Sequence, residues 1–148
     1  MARKSGITIK LEGFDELLQK IERAGGTIDG AAETCLEKSA QIMQEELRTQ
    51  MEKSDVPADL INRMPSPKIE KEANRIVARV GYEKGSYDPK NLSDGFKIIF
   101  LNYGTPKRTK HGKITARGFI ARAKKKAATK IKKQQEDTLN DILGGLKK

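Results

Sequence analysis

The 148-residue chain has no tryptophan, one cysteine, one histidine, and only seven phenylalanines and tyrosines together. Each scarcity excludes something. Cys35 has no second cysteine to pair with, so no intrachain disulfide forms, which fits assembly in a reducing cytoplasm, and a cysteine-based metal cluster is ruled out. One cysteine and one histidine also leave a zinc site short of its usual ligands. His111 lies in a basic loop with no Ser-Asp or Cys-Asp arrangement near it in sequence, and no carboxylate pair stands out, so no catalytic residue, cofactor or metal site is expected. No apolar run approaches the roughly 20 residues that span a bilayer, and the opening MARKSGITIK lacks a signal-peptide apolar region. A soluble chain with no membrane contact is the expectation.

What is abundant is charge. Lysine and arginine number 30 against 20 aspartates and glutamates, a formal balance of +10. The excess is local: residues 101 to 135 hold twelve cations and no acid, leaving 18 cations against 20 acids elsewhere. Such asymmetry suggests an anionic partner for the C-terminal third, although a charge run is commonly a solvated helix face. With 36% hydrophobic residues the core must be thin and aliphatic, which makes help from neighbouring subunits plausible. The length suits one domain over residues 1 to 148.

Periodicity places the elements. Ile7, Ile9 and Leu11 alternate with polar residues, predicting a strand that Gly13 ends. Phe14, Leu17, Leu18, Ile21 and Ala24 share a helical face that stops at Gly25-Gly26. Asp29 is the expected cap of a second helix reaching Lys53, with Ala32, Cys35, Leu36, Ala40, Met43, Leu47 and Met51 inward. Cys35 reads there as a small core hydrophobe, with a reactive thiol as the alternative. Residues 54 to 68 hold three of the five prolines and predict a connector with one helical turn at most. Ile76, Ala78, Val80 and Tyr82 face one way and Arg75, Val77 and Arg79 the other, predicting a strand that hairpins through Ala73-Asn74 onto residues 69 to 71. Residues 83 to 95 read as a surface loop. FKIIFLNY, apolar on both faces, reads as a strand covered on both sides. A last helix should carry Phe119, Ile120, Ala123, Ala127, Ile131, Gln134, Thr138, Ile142 and Leu143 on one stripe and end at Gly144-Gly145. The expected class is α+β: a small antiparallel sheet packed against two N-terminal helices and one long C-terminal helix.

The stretch FLNYGTPKRTKHGKITARGF joins the last two segments. As a phosphate-binding P-loop it fails twice, because Ile114 follows Gly112-Lys113 where Ser or Thr is needed and Lys107 stands where the first glycine belongs. As a corner it makes sense. Tyr103 ends the apolar segment, Gly104 permits the turn, Thr105-Pro106 sets the exit, and Phe119 tucks in at the helix start.

Asn102-Tyr103-Gly104-Thr105, a basic loop, Ala116-Arg117-Gly118-Phe119-Ile120-Ala121-Arg122-Ala123 and a lysine-rich helix together resemble the small tail-component family of long-tailed bacteriophages and prophages. The opening ITIKLEGFDELLQKIERAGG is similar to that family's first strand and leucine-rich helix. Gly118 stands where the family carries proline, and Asn102 where an acid is usual. The resemblance implies a non-enzymatic neck or tail-completion subunit of the virion, assembled in the host bacterial cytoplasm. It would join a homo-oligomeric ring, sixfold by the resemblance, between the capsid connector and the tail tube, with neck or tail-tube proteins as partners. Tyr103, Gly104, Thr105 and Phe119 are then the structural corner, read equally as folding residues or partner contacts, while the 55 to 68 and 83 to 95 loops are candidate contacts with neighbouring components.

The alternative is a nucleic-acid-binding module using the basic 107 to 133 segment. Arg108, Lys110, Lys113, Arg117, Arg122, Lys124, Lys125 and Lys126 would grip phosphates, or another anionic partner, without reading sequence. Few aromatics stand among them for base stacking.

Overall fold

Ile7 and Ile9 are both buried, and their alternation with polar neighbours lays the first strand, β1 (Gly6–Lys10), with one face on the core. The computed structural model describes residues 6–72, 75–83, 90–105 and 114–147. After β1 come α1 (Asp15–Arg23), α2 (Ile28–Lys53), the short α3 (Ala58–Asn62), β2 (Lys68–Glu72), β3 (Arg75–Gly81), α4 (Asp94–Tyr103) and α5 (Phe119–Leu146). This is an α+β fold. The three strands form one antiparallel sheet in the order β1-β3-β2, with Ile7 opposite Val80, Ile9 opposite Ala78, and Ile69 opposite Ala78 from the other side. That register gathers Ile7, Ile9, Ile69, Ile76, Ala78 and Val80 on one face, against Ala32, Leu36, Ala40, Met43, Leu47 and Met51 of α2. The pairing of Glu72 with Arg75 fits the predicted hairpin, whose turn residues 73 and 74 lie outside the described residues.

α5 lies along α2, and Phe119, Ile120, Ala123, Ala127 and Ile131 complete the main core. A second cluster of Ile21, Ala31, Cys35, Leu139 and Leu143 fastens α1 to the far ends of the same helix pair. Between the clusters runs a polar band. The Ser39 hydroxyl lies 2.7 Å from the Gln134 side-chain oxygen, and the Gln135 amide donates to Ser39 at 3.1 Å and to the Lys10 carbonyl at 3.4 Å. Among the described residues no buried side-chain polar atom lacks a partner. A satisfied buried band of this kind admits one sliding position of α5 on α2, because any other would strand polar groups in the core.

The outer face of the sheet is polar. Arg79 pairs with both Glu70 and Glu72, so its side chain runs along the face past Val77, which is fully buried yet belongs to neither apolar cluster.

Four expectations need correction. FKIIFLNY is not a strand but most of α4. Its buried positions, Gly95, Ile98, Ile99 and Asn102, fall at helical spacing, the Ser93 hydroxyl accepts from the Phe96 amide at 3.4 Å, and Asp94 sits in the first turn where a negative charge is favoured. A short apolar run carries no period that separates a buried strand from a buried helix, so the cap was the deciding signal. The 83 to 95 loop is shorter than expected, since Asp94 and Gly95 already belong to α4. The cap of α2 is Thr27, whose hydroxyl accepts from the Gly30 amide at 3.0 Å, while Asp29 instead pairs with Lys71. Finally, α5 runs through Gly144-Gly145 to Leu146, and its inward stripe contains Gln135 and Leu139 where Gln134 and Ile142 were expected.

Phe119 is the largest fully buried side chain among the described residues. Phe119→Ala should destabilise the fold by about 3–5 kcal/mol, read as a lower urea midpoint at unchanged slope; a shift within error would mean that Phe119 does not anchor α5.

Candidate functional site

The corner between α4 and α5 is a hydrogen-bonded splice. Gly104 has φ 80°, a left-handed conformation that side chains resist, and a Cβ added there would lie 2.8 Å from the Ala116 nitrogen and the Ile114 carbonyl oxygen. Only glycine fits that approach. The Gly104 amide closes α4 on the Phe100 carbonyl at 2.8 Å, and the Thr105 amide donates to the Ile114 carbonyl at 2.9 Å. The Thr105 hydroxyl accepts the Ile114 amide at 2.8 Å. Next, the Arg117 and Gly118 amides donate to the Leu101 and Asn102 carbonyls, at 3.1 and 3.0 Å, so the orphan carbonyls of one helix end take amides from the approach to the next.

Asn102 is the hub. Its side-chain oxygen, buried in the corner, accepts the Ile120 amide at 2.9 Å and so caps α5 from outside the helix. Gly118, at the capping position itself, has φ 60° and no side chain to offer. Proline, fixed near −65°, could not take that conformation. Residues 118 and 102 are therefore linked in space: glycine at 118 allows a left-handed entry, and the side-chain oxygen of Asn102 supplies the cap that Gly118 cannot. Of the predicted corner, Phe119 points into the core, Thr105 is half-buried and Tyr103 is exposed.

The eight basic candidates divide three ways. Arg117 donates to the carbonyls of Ser54 and Asp55, at 3.1 and 3.0 Å, and Arg122 donates to the Ser54 hydroxyl at 2.5 Å and the Gln50 side chain at 3.4 Å. Both lie at the C-terminal end of α2, where the unpaired carbonyls and the helix dipole favour cations. Lys124, Lys125 and Lys126 are exposed along α5. Arg108, Lys110 and Lys113, like His111, lie outside the described residues. Of the two loops considered as partner contacts, the 55 to 68 segment holds α3 and buries Val56, Leu60, Ile61 and Met64, and the Leu60 carbonyl accepts the Tyr82 hydroxyl at 2.5 Å. Arg63 forks onto the Asp94 carboxylate at 3.0 and 3.1 Å, which ties this segment to α4 and holds the Asp94 carboxyl below its ordinary range.

Lys124 also faces a cleft of about 320 Å³. Tyr103, Ile120 and Lys124 line it from the helices, and Lys10, Arg75, Arg79 and Glu72 from the sheet. The charge surplus of the C-terminal third directed attention to α5, whereas the sheet cations, separated in sequence and interleaved with acids, gave no linear signal. Asn102 was missed as a cap because it stands 16 positions before Gly118 in the chain, beyond the reach of any local capping pattern.

Cys35 is fully buried, with its sulfur 3.7 Å from the Gln135 carbonyl oxygen, and burial pushes its thiol up to about 11. It behaves as a core residue. Among the described residues no group of three or more His, Cys, Asp and Glu is placed to hold a metal ion, and no helix is long and apolar enough to cross a membrane. Comparison of the chain with protein-family models, with curated proteins and with solved structures found no match.

Asn102→Ala should cost about 1–2 kcal/mol through loss of the α5 cap, measured by denaturant titration; a value near zero would show that water replaces the side-chain oxygen freely. For Cys35, a thiol reagent at pH 8 should label the native protein only as fast as the fold opens, with rapid labelling in urea. Labelling of the native state within the mixing time would contradict the burial.

Proposed function

We propose that this chain is a non-enzymatic structural protein of a bacteriophage or prophage, a ring-forming subunit that acts in head-tail joining or tail completion. The observation that carries the reading is the α4–α5 splice. The two stretches that resemble the tail-component family, Asn102 to Thr105 and Ala116 to Ala123, meet there through Asn102, which accepts the Gly118 and Ile120 amides, although ten residues separate the stretches in sequence. The motif is thus a spatial unit as well as a linear one. The α+β architecture, with its long terminal helix, is compatible with a subunit that gains stability by recruiting neighbours. Its partners in this reading are further copies of itself and neck or tail-tube proteins, met in the host bacterial cytoplasm during assembly and retained in the virion.

One observation favours a second reading. The exposed Lys124, Lys125 and Lys126 form a run that could follow a phosphate backbone without sequence preference. Arg117 and Arg122, by contrast, already serve the end of α2, which reduces the basic surface left for such a contact.

The two readings separate in solution. For the assembly role, light scattering at rising concentration should give a mass above the monomer, and the protein should co-sediment with purified tail tubes; a persistent monomer that ignores tubes would rule the role out. For the nucleic-acid role, a mobility shift with random duplex should be strong in low salt, collapse as salt rises, and weaken when Lys124, Lys125 and Lys126 become Gln.

A further inference from the structure

Charge is sorted along α5. From Phe119 to Lys133 the helix carries seven lysines and arginines and no acid, and from Gln134 to Gly145 it carries three acids and no base. A helix macrodipole favours the reverse order, with acids at the N-terminus and cations at the C-terminus, and α5 has neither in its end turns. The arrangement is therefore locally unfavourable, and contacts within the chain offset only part of it. Arg122 serves the end of α2, and Lys130 reaches Glu46 at 3.5 Å.

What remains forms two unlike patches. In the cleft beside β1, Lys10, Arg75, Arg79 and Lys124 face a single lining carboxylate, Glu72. Arg75 and Arg79 are already paired with Glu72, and Arg79 also with Glu70, but Lys10 and Lys124 make no ion pair among the described residues. The acidic half of α5 borders a second hollow, of about 490 Å³, against the start of α1. There Asp15, Glu16 and Glu136 face one cation, Lys20. Lys124 and Glu136 stand twelve residues apart on one helix, about 18 Å at its rise per residue.

We propose that the basic cleft of one copy receives the acidic α1–α5 corner of a second copy, so that subunits add head to tail. The charges match in sign and roughly in number, three carboxylates meeting two unpaired ammonium groups and two partly neutralised guanidinium groups. Complementarity of this kind fixes register and penalises cleft-to-cleft and corner-to-corner contacts. Because the patches differ, a copy that fills its cleft still offers its corner, and the chain of contacts closes as a ring or continues as a filament according to the rotation per subunit. A nucleic-acid backbone suits this cleft less well, since Glu72 lines it and the acidic corner then has no role. The proposal rests on the ring-subunit reading for its biological purpose and on the two patches for its contact.

Charge reversal tests it with four exposed residues. Lys10→Glu with Lys124→Glu inverts the cleft, and Glu16→Lys with Glu136→Lys inverts the corner. Wild-type mass should grow beyond a dimer with concentration in sedimentation velocity, and each two-residue variant should self-associate roughly tenfold more weakly or worse, while circular dichroism melting confirms that it is folded. The cleft variant is the sharper case, because its formal charge falls from +10 to +6 (two changes of −2 each) and lower self-repulsion alone would strengthen association. The chain with all four substitutions keeps the wild-type net charge and should regain association. Unchanged mass in either two-residue variant, a wild type that stops at a dimer, or a four-residue variant that fails to recover would overturn the proposal. So would a cleft variant that loses duplex DNA binding while keeping its self-association. Failure to bind tail tubes with the charge-swap pattern intact would sink the phage role and leave the contact standing.

Discussion

Everything in this fold depends on α5 being held against α2. Left to local preferences α5 would be a poor helix at both ends: its capping position is a left-handed glycine, its first turn contains no acid, and Gly144-Gly145 lies in its last. Tertiary contacts supply what local sequence does not. Phe119 and the small residues Ala123 and Ala127 bring the helix close to α2, the Ser39–Gln134–Gln135 band fixes its position along the axis, and Asn102 caps its start. Helix formation carries a costly first turn, so an external cap at that turn lowers the cost where it is highest.

Dependence on α5 explains how the arginines are used. Arg117 and Arg122 sit in the entry of α5 but bond the exit of α2, so the same two side chains that crowd a positive helix end relieve a negative one. A count of cations from sequence treats them as free for a partner. The structure commits both to the joint between its two longest helices.

Much of the fold was legible in the sequence, and the parts that were not share a cause. Strand β1 announces itself by strict alternation and β3 by an alternation that the buried Val77 breaks, β2 follows from the hairpin onto residues 69 to 71, and α1 and α2 show the apolar spacing of helices with one wet face and one dry face. α4 has no such contrast. Phe96 and Phe100 on its flank pair with ring centroids 6.3 Å apart, while Ile98 and Ile99 are buried, so hydrophobicity is spread around the helix and period is lost. The capping signal Ser93-Asp94 outweighs it, but in sequence the same residues are also turn formers. Within the site, Gly104 and Phe119 were legible because a turn glycine and an anchor aromatic are local devices. Asn102 was not, since its function exists only once α4 is a helix and its end meets residues 117 to 120.

The corner also ties the residue at position 118 to the residue at position 102. With proline at residue 118, φ would be fixed near −65°, which closes the left-handed entry, and the N–H that Gly118 donates to the Asn102 carbonyl would be gone. Glycine reopens that route but leaves a floppier entry in the unfolded chain, which raises the entropy lost on folding. The asparagine offsets the loss by accepting across the corner with both its main-chain carbonyl and its side-chain oxygen, from the amides of Gly118 and Ile120. An aspartate would offer the same acceptor geometry with added charge at a helix N-terminus, but would have to be buried beside Phe119 and Ile120. A neutral amide avoids that desolvation. Residues 102 and 118 thus form one coupled choice, and a change at either should be judged with the other in view.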